Sequence, residues 1–486
     1  MRSPARLLRR PEAALFVLIL AAYSYFYQAG GWNQNSRFDL TRAIVEDGSS
    51  KIDRFRKNTG DLARRGDHYY CEKAPAVSWL GVPAYASVHA LAGPPDRDDI
   101  DRAAYLTTLW AVALPSALAV LALAFLLGAL GLSAPVRIGG AAAYGLATLA
   151  FPYSTLFYGE QLCAALLLFG SALLVQAERS GQRPARLFAA GLLLGAAVLA
   201  DFPAVLAVAP LTIYAGMRLR TWPMLVCFLA GGAVMAAVLL IHNAVVFGGP
   251  FTLPYEYSLM RYRHEGVFMG IGAPSATALW HITLSSYRGL LFSAPWLLLA
   301  LPGAVRLIRR PDTRPLAIVC ATIAVLFLCM NMSLVDPLGG WGMGPRFLSP
   351  ALPFWAVLAC GVFLPAERPV RPLLRRAVIA VSAAAALYSA ALMLIGTAVK
   401  PEVDIAIRHP FGDYLVPRFV RGELSVSTQG IDMVNLPRNA PEKAWNLGEL
   451  VGLPGLWSLL PLALIAAGCV AWLVLIERRA ERGASS

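Results

Sequence analysis

The chain has 486 residues, of which 57% are apolar and 15% are charged, and its formal net charge is +13. Soluble domains carry roughly 25% charged residues, so this composition excludes an ordinary soluble protein. The apolar residues form long continuous runs rather than alternating ten-residue strands, which excludes a membrane β-barrel. Most arginines lie in short loops between these runs, so the positive charge does not indicate nucleic-acid binding. We predict an all-α, polytopic membrane protein that forms one unit over residues 1–486.

Thirteen apolar windows approach the length of about 20 residues that a helix needs to cross a bilayer. They cover residues 12–31, 74–92, 104–131, 136–157, 160–177, 186–200, 202–217, 223–247, 289–305, 315–334, 347–365, 377–398 and 454–476. Arginine-rich segments lie at the N-terminus and at residues 179–186, 218–220, 306–314, 368–376 and 478–482. Because such segments stay on the cytoplasmic side, we predict a protein of the cytoplasmic (inner) membrane with both termini in the cytoplasm.

Alternating crossings leave four polar segments on the opposite, outer face. These segments are residues 33–73, 248–288, 335–346 and 399–453. Segment 33–73 is predicted on the outer face and segment 179–186 on the cytoplasmic face, so the chain must cross the membrane an odd number of times between residues 74 and 178. The sequence shows four apolar windows there. Window 74–92 is short and contains Pro75 and Pro83, so we predict that it does not cross. The expected total is about twelve transmembrane helices, within a range of 11 to 13.

The first outer segment, residues 33–73, concentrates charge beside a membrane face, where charge is costly unless it has partners. Its first part, residues 33–45, mixes apolar and charged positions in a pattern that indicates an interfacial amphipathic helix. Such a helix would hold Asp39 at the boundary between lipid and water, although Asp39 could also merely solvate the helix. Further polar residues follow in the same segment: Asp53, Asp61, His68, Tyr69, Tyr70, Glu72 and Lys73. We predict that this segment contains the active site.

Lys73 stands immediately before the second apolar window. Its ammonium could simply extend to the interface, or it could neutralise a phosphate as a compact charge with three donors. Arg37, Arg288 and Arg346 are the candidates to share that anion. The glycines around Trp341 would let the backbone approach a ligand closely, although a tight turn needs the same residues.

Two carboxylates, Glu160 and Asp201, lie near the ends of apolar windows. An acidic side chain inside a membrane usually has a function, so both residues are candidate site residues. The alternative is that both are simply exposed to solvent at the ends of their windows. The sequence shows no dense carboxylate cluster with ligand-like spacing, so we expect no metal cofactor. Asp39 with Glu160 could in principle hold a divalent ion.

Four features follow one another along the chain: a first span, a polar outer loop with an interfacial helix, the segment Tyr69–Pro75, and the glycine-rich segment Gly340–Phe347. This layout resembles the bacterial membrane glycosyltransferases of the C superfamily, in the branch of protein O-mannosyltransferases and aminoarabinose transferases (glycosyltransferase family 39-like). The resemblance covers most of the chain. Its most specific part is Glu72–Pro75, which reads Glu-Lys-Ala-Pro and is similar to the Glu-Lys-Pro-Pro of those enzymes.

Such enzymes transfer a sugar from a polyprenyl-phosphate carrier to an acceptor at the outer face and invert the anomeric centre. The resemblance implies that Lys73 contacts the carrier phosphate. It leaves the catalytic base open, because those relatives carry an acidic residue just after the first span. The matching residues of this chain, 33–37, contain no acid, and the first one after them is Asp39.

We expect an acceptor hydroxyl to attack the anomeric carbon while a carboxylate takes its proton, an effect worth roughly 10² to 10⁴ in rate. Asp39 is the first candidate for this base, followed by Asp53 and Asp61. Fixed cations would stabilise the departing phosphate. The side chains expected to contact the sugar or the acceptor are His68, Tyr69, Tyr70, Glu72, Trp341, Glu160 and Asp201.

Two other classes of function stay open. A secondary transporter would also explain twelve spans and buried acids, and a catalytically inactive membrane scaffold would keep the fold without the chemistry. The expected partners are a polyprenyl-phosphate-linked sugar, membrane lipid and an acceptor that is a lipid, a glycan or a protein, with no nucleic acid. The sequence specifies neither the sugar nor the acceptor.

Overall fold

The computed structural model describes residues 10–95, 99–266, 268, 270–365, 371–432 and 442–485. The α-helices are α1 (Pro11–Ser24), α2 (Trp32–Glu46), α3 (Ala76–Ala92), α4 (Ile100–Thr108), α5 (Leu114–Ala129), α6 (Ala134–Leu146), α7 (Ala150–Ser154), α8 (Gly159–Ser180), α9 (Pro184–Ala200), α10 (Val205–Arg218), α11 (Trp222–Phe247), α12 (Ala276–Thr283), α13 (Leu290–Ser293), α14 (Ala300–Arg309), α15 (Arg314–Met332), α16 (Leu352–Cys360), α17 (Pro372–Val399), α18 (Val416–Val420), α19 (Leu447–Leu450) and α20 (Leu460–Ser485). Parts of the arginine-rich segments, at residues 1–9 and 366–370, lie outside the described residues, as do residues 433–441 of the last polar segment.

Four short strands form two antiparallel pairs in the described part of the chain. Strand β1 (Phe26–Tyr27) pairs with β4 (Trp445–Asn446), and β2 (Leu62–Arg65) pairs with β3 (His68–Cys71). The second pair is a hairpin with a two-residue turn at Gly66, where φ is +60°, a left-handed conformation that glycine adopts without strain. The rest of the regular structure is helical, so the prediction of an all-α fold is confirmed.

Seven helical segments of the described chain are long and apolar enough to cross a membrane. They are Ile100–Ala129, Gly159–Ser180, Trp222–Phe247, Arg314–Met332, Arg346–Phe363, Pro372–Val399 and Gly455–Arg478. Three shorter apolar helices are Pro11–Ser24, Pro184–Ala200 and Phe202–Arg218. The first long segment joins α4 and α5 through a π-helical turn at Leu109–Ala113. These helices confirm the prediction of a polytopic membrane protein.

Ion pairs between connecting segments define the two ends of the helical bundle. At the lower end, Arg137 pairs with Glu12 at 2.7 Å, and Arg218 pairs with Glu178. At the upper end, the Arg65 guanidinium donates to the Val246 carbonyl oxygen in the last turn of α11. The described parts of residues 33–73, 248–288, 335–346 and 399–453 meet at this upper end.

The apolar helices of the described chain pack against one another in one bundle. Their inward faces form one continuous apolar core that reaches from Leu15 to Leu462. About twelve spans were predicted from the sequence, and the described residues contain the seven long and three shorter apolar helices named above.

Helix α3 does not pass between the two ends. It begins beside Arg37, which donates to the Ala74 carbonyl at 2.9 Å. The chain is still at the upper end just after α3, because the Tyr27 hydroxyl donates to Asp101 at 2.7 Å. In between, α3 packs against α2. These contacts agree with the prediction that window 74–92 does not cross.

Helix α2 covers the predicted amphipathic segment, but its surroundings differ from the prediction. Residues 33–43 are all buried, whereas an interfacial helix would expose its charged face. The last polar segment covers that face: the Gln429 carbonyl accepts a hydrogen bond from Gly30, and Asp432 accepts one from Arg42. The polar face of α2 is therefore covered by a distant part of the chain, and the interfacial position of this helix stays a prediction. A buried polar helix needs partners, and these are found at the candidate site.

Candidate functional site

The β2–β3 hairpin brings acidic and basic side chains together at its open end. Because Leu62 pairs with Cys71, the residues just before β2 and just after β3 face one another. Lys73 Nζ lies 2.9 Å from Asp61 Oδ2 and 2.5 Å from Glu72 Oε1. All three side chains are buried, and Lys73 is only 6% exposed. Its ammonium is therefore held in an ion-pair cluster and does not extend to an interface.

The charges of this cluster stabilise one another. Burial alone would lower the pKa of Lys73, but Asp61 and Glu72 outweigh burial and hold the pKa above its ordinary value. Burial alone would raise the pKa of Asp61, but Lys73 outweighs burial and holds it below its ordinary value. The other oxygen of Glu72 accepts a hydrogen bond from the Ser258 hydroxyl, which ties the hairpin to the 248–288 segment.

A second buried group gathers side chains that are far apart in the chain. Arg346 Nε lies 3.7 Å from Glu160 Oε1, and the guanidinium carbon lies 5.1 Å from the centre of the Tyr158 ring. The Tyr158 hydroxyl donates to Glu402 Oε1 at 2.5 Å, and the Gln34 amide donates to Glu402 Oε2 at 2.8 Å. Four segments of the upper end thus share one set of charged and polar side chains.

Arg37 stands between the two groups. Its Nη1 donates to the Ala74 carbonyl, next to Lys73. A Cβ on residue 159 would lie only 2.8 Å from Arg37 Nη2. Only glycine at this position therefore lets the guanidinium approach the backbone next to Glu160. Asp201 follows α9 and interacts with Glu160 and Arg37, and burial together with Glu160 raises the pKa of Asp201. The two groups and Arg37 form what we call the upper-end cluster.

Two charged side chains at the upper-end cluster, Arg263 and Glu402, were not among the residues predicted from the sequence, and neither were Gln34 and Tyr158. The Arg263 guanidinium carbon lies 3.9 Å from the centre of the Tyr255 ring, and the side chain interacts with Lys73. Arg263 belongs to a stretch of aromatic and basic residues, a pattern that could have identified it. Glu402 follows an apolar window closely, which is the same signal that identified Glu160.

Of the three aspartates predicted as candidate bases, Asp61 is the one that contacts Lys73. Asp39 is buried on α2, where it accepts a hydrogen bond from Asn58 at 3.2 Å, and burial raises its pKa well above the ordinary value. Asp53 lies on the outer surface of the same segment and contacts the His68 ring at 2.7 Å. The first outer segment therefore places its acids in three separate environments.

The other predicted side chains make their contacts outside the upper-end cluster. Arg288 is buried and donates to backbone carbonyls of the last polar segment. Tyr69 is flanked by two arginine side chains, and Tyr70 packs edge-on against an aromatic ring at the end of α11. Trp341 is 36% exposed, and Lys400 Nζ lies 5.0 Å from the centre of its ring.

Within the described ranges, no group of three or more His, Cys, Asp or Glu side chains is arranged to hold a metal ion. The pair considered from the sequence does not come together. Asp39 contacts Asn58, and Glu160 pairs with Arg346.

No known family model and no curated protein matches this sequence. Among solved structures, the chain is similar to ArnT from Cupriavidus metallidurans bound to undecaprenyl phosphate. The TM-score is 0.50 and the identity is 15%, with 98% of this chain and 77% of that chain covered. This protein has the GT-C fold of membrane glycosyltransferases. The predicted resemblance is therefore confirmed at the level of the fold.

Two further structures show similarity to this GT-C chain. ArnT from Cupriavidus metallidurans in the apo state is 16% identical, with a TM-score of 0.48 and coverage of 96% of this chain and 74% of that chain. The apo form of the Archaeoglobus fulgidus oligosaccharyltransferase is 12% identical, with a TM-score of 0.48 and coverage of 88% and 61%.

Proposed function

We propose that this protein is an inverting glycosyltransferase that moves a sugar from a polyprenyl-phosphate carrier to a lipid, glycan or protein acceptor. The observation that carries the proposal is the buried Lys73 ammonium, 2.9 Å from Asp61, in a cluster that also holds three arginines. The GT-C fold supports it, since the ArnT structure with this fold is bound to undecaprenyl phosphate.

The carrier phosphate is the leaving group, and its negative charge grows as the bond to the anomeric carbon breaks. Fixed cations in a pocket with little water stabilise such a charge more strongly than they would in bulk solvent. Lys73 is the first of these cations, and Arg37 and Arg263 lie near it in the same cluster. Arg288 is occupied by backbone carbonyls, so we assign it to holding the last polar segment in place.

Asp61 is our candidate for the base. An acceptor hydroxyl attacks the anomeric carbon, the bond from that carbon to the phosphate oxygen breaks, and the hydroxyl proton passes to Asp61. While Asp61 is paired with Lys73, its lowered pKa makes it a weak base. A donor phosphate that draws the ammonium away would raise that pKa. Donor binding would therefore activate the base at the moment it is needed.

The orientation of the protein follows from its charges. The lower end carries the arginine-rich connections 179–186, 218–220 and 306–314, and such connections face the cytoplasm. The upper-end cluster would then open to the outer face of the cytoplasmic membrane. Transfer at that face matches a lipid-linked donor, which needs no nucleotide sugar from the cytoplasm.

The test uses purified protein in lipid with a mixture of polyprenyl-phosphate sugars and a cell-envelope extract that supplies lipid, glycan and protein acceptors. The wild-type protein should consume one donor and release polyprenyl phosphate, and Lys73→Ala should abolish the release. Lys51→Ala is the matched control, because Lys51 lies in the same segment but is exposed and contacts His68. Unchanged turnover in a folded Lys73→Ala protein would remove the phosphate-binding role.

A further inference from the structure

Three polar atoms in and beside the upper-end cluster are buried without a hydrogen-bond partner among the described residues. They are the Tyr153 hydroxyl, Glu160 Oε2 and Arg346 Nε. Arg346 Nε lies 3.7 Å from Glu160 Oε1, and the guanidinium carbon lies 5.1 Å from the centre of the Tyr158 ring, on which the Tyr153 ring stacks. The three side chains therefore belong to one site. A buried polar atom without a partner costs about 1 to 3 kcal/mol, so such a group needs an explanation.

The walls around these atoms are rigid. The Tyr153 and Tyr158 rings stack with their centres 5.6 Å apart. Tyr158 is fixed in turn by its hydrogen bond to Glu402, whose second oxygen is held by Gln34. A site with fixed aromatic faces and fixed carboxylates is built to select a ligand by shape.

The glycine-rich segment closes one side of the site at close range. A Cβ at Gly342 would lie 2.9 Å from the Tyr153 hydroxyl, and a Cβ at Gly339 would lie 2.8 Å from Arg346 Nε. The backbone therefore approaches the unpaired atoms more closely than any residue with a side chain would allow. The glycines on either side of Trp341 are therefore needed for close packing against Tyr153 and Arg346.

The unpaired atoms define the chemistry of the ligand. Arg346 Nε only donates, Glu160 Oε2 only accepts when ionised, and the Tyr153 hydroxyl does both. A phosphate offers acceptors alone and an ammonium offers donors alone, so neither pairs with all three. A sugar hydroxyl both donates and accepts, and a sugar ring carries several of them.

We propose that Tyr153, Glu160 and Arg346 form the binding site for the hydroxyl groups of the transferred sugar. This inference rests on the proposed function and adds to it the class of the sugar, which is polyhydroxylated at the positions facing these atoms. Lys73 and its neighbours then bind the phosphate, and this second group binds the ring.

The test compares the binding of two lipids, polyprenyl phosphate and polyprenyl-phosphate hexose, to protein in nanodiscs. The wild-type protein should bind the hexose-bearing lipid at least tenfold more tightly. Tyr153→Phe should lower this preference about fivefold, the value of one ordinary hydrogen bond, and leave the affinity for the bare lipid unchanged. Tyr23→Phe is the matched control, because Tyr23 is buried and donates to the Gly145 carbonyl away from the site.

Monodeoxy hexose donors give a second measurement that needs only the wild-type protein. One deoxy position should reduce the preference for the hexose-bearing lipid, and in Tyr153→Phe that same position should have little further effect. A wild-type protein that binds both lipids equally, or a Tyr153→Phe protein that keeps the full preference, overturns the sugar site. Failure of the proposed function is a different result, in which the wild-type protein binds neither lipid.

Discussion

Lys73 and Asp61 form a buried ion pair, 2.9 Å from Nζ to Oδ2, that is closed by the hairpin lying between them in the chain. Glu72 contacts the same ammonium from the other side at 2.5 Å. One cation therefore faces two carboxylates. Removing Lys73 should therefore affect stability differently from removing one of the two carboxylates.

Lys73→Met should destabilise the protein more than Asp61→Asn does. The first change leaves two buried carboxylates without a cation, at a cost of about 3 to 5 kcal/mol, whereas the second leaves a one-to-one pair with Glu72. Unfolding midpoints of the purified variants in the same lipid measure the difference. Combining both substitutions should recover part of the stability lost in Lys73→Met, since one unpaired acid is gone. Equal losses in the two single variants would contradict this arrangement.

The same pair sets a pH window for stability. Asp61 has a lowered pKa in the folded protein, so its contribution is present above its ordinary pKa of about 3.9 and is lost as pH falls below it. Lys73 has a raised pKa, so its contribution is present below about 10.4 and is lost only at higher pH. In Lys73→Met, burial raises the pKa of the two carboxylates that lose their cation, so they take up protons at a higher pH than in the wild type. The difference in unfolding midpoint between wild type and Lys73→Met should therefore be largest at neutral pH and should shrink as pH falls towards about 4. A difference that stays constant down to this pH would show that other groups compensate the two carboxylates.

Asp39→Asn and Asp61→Asn discriminate between the candidate bases. Both changes are isosteric and both residues are buried in the first outer segment, but only Asp61 contacts Lys73. We expect turnover to fall about 10² to 10⁴-fold in Asp61→Asn and less than about tenfold in Asp39→Asn. Donor consumption by the two proteins under saturating conditions is the measurement. The reverse order would restore Asp39 as the base.

The polytopic helical fold could be predicted from the sequence, because long apolar windows indicate helices that contact lipid. The non-crossing segment 74–92 was also predictable, since sidedness required an odd number of crossings nearby. The buried state of α2 was not predictable. Its cover comes from Gln429 and Asp432, and the pattern within a helix contains no information about a loop so far away.

The candidate site was predictable in part. Lys73 was identified by its motif, but the preference for Asp39 over Asp61 overlooked the hairpin. The two-residue turn at Gly66 sets the register, and that register places Asp61 opposite Glu72. Gly66, which marks this turn, is visible in the sequence. The approach of Arg263 to the cluster depends on the packing of the 248–288 segment, for which no local pattern exists.

Gly339→Ala should reduce activity, whereas Gly340→Ala should not. Both glycines have positive φ, of 70° and 74°, so alanine costs similar backbone strain of about 1 to 2 kcal/mol at each. A Cβ at residue 339 would meet Arg346 Nε at 2.8 Å, whereas a Cβ at residue 340 meets nothing within 4 Å. Displacing the guanidinium should lower turnover about tenfold to hundredfold. Equal activity in the two variants would show that Arg346 is not positioned by this segment.

The orientation of the protein can be tested with single cysteines at the two ends of the bundle. Asp67 is exposed in the hairpin turn at the upper end, and Ser180 is exposed at the lower end of α8. An impermeant maleimide added to intact cells should label Asp67→Cys, and Ser180→Cys should react only after lysis, because arginine-rich connections face the cytoplasm. The wild-type protein, with its own seven cysteines, supplies the background signal. Labelling of Ser180→Cys in intact cells would place the cluster in the cytoplasm and would require a donor presented on that side.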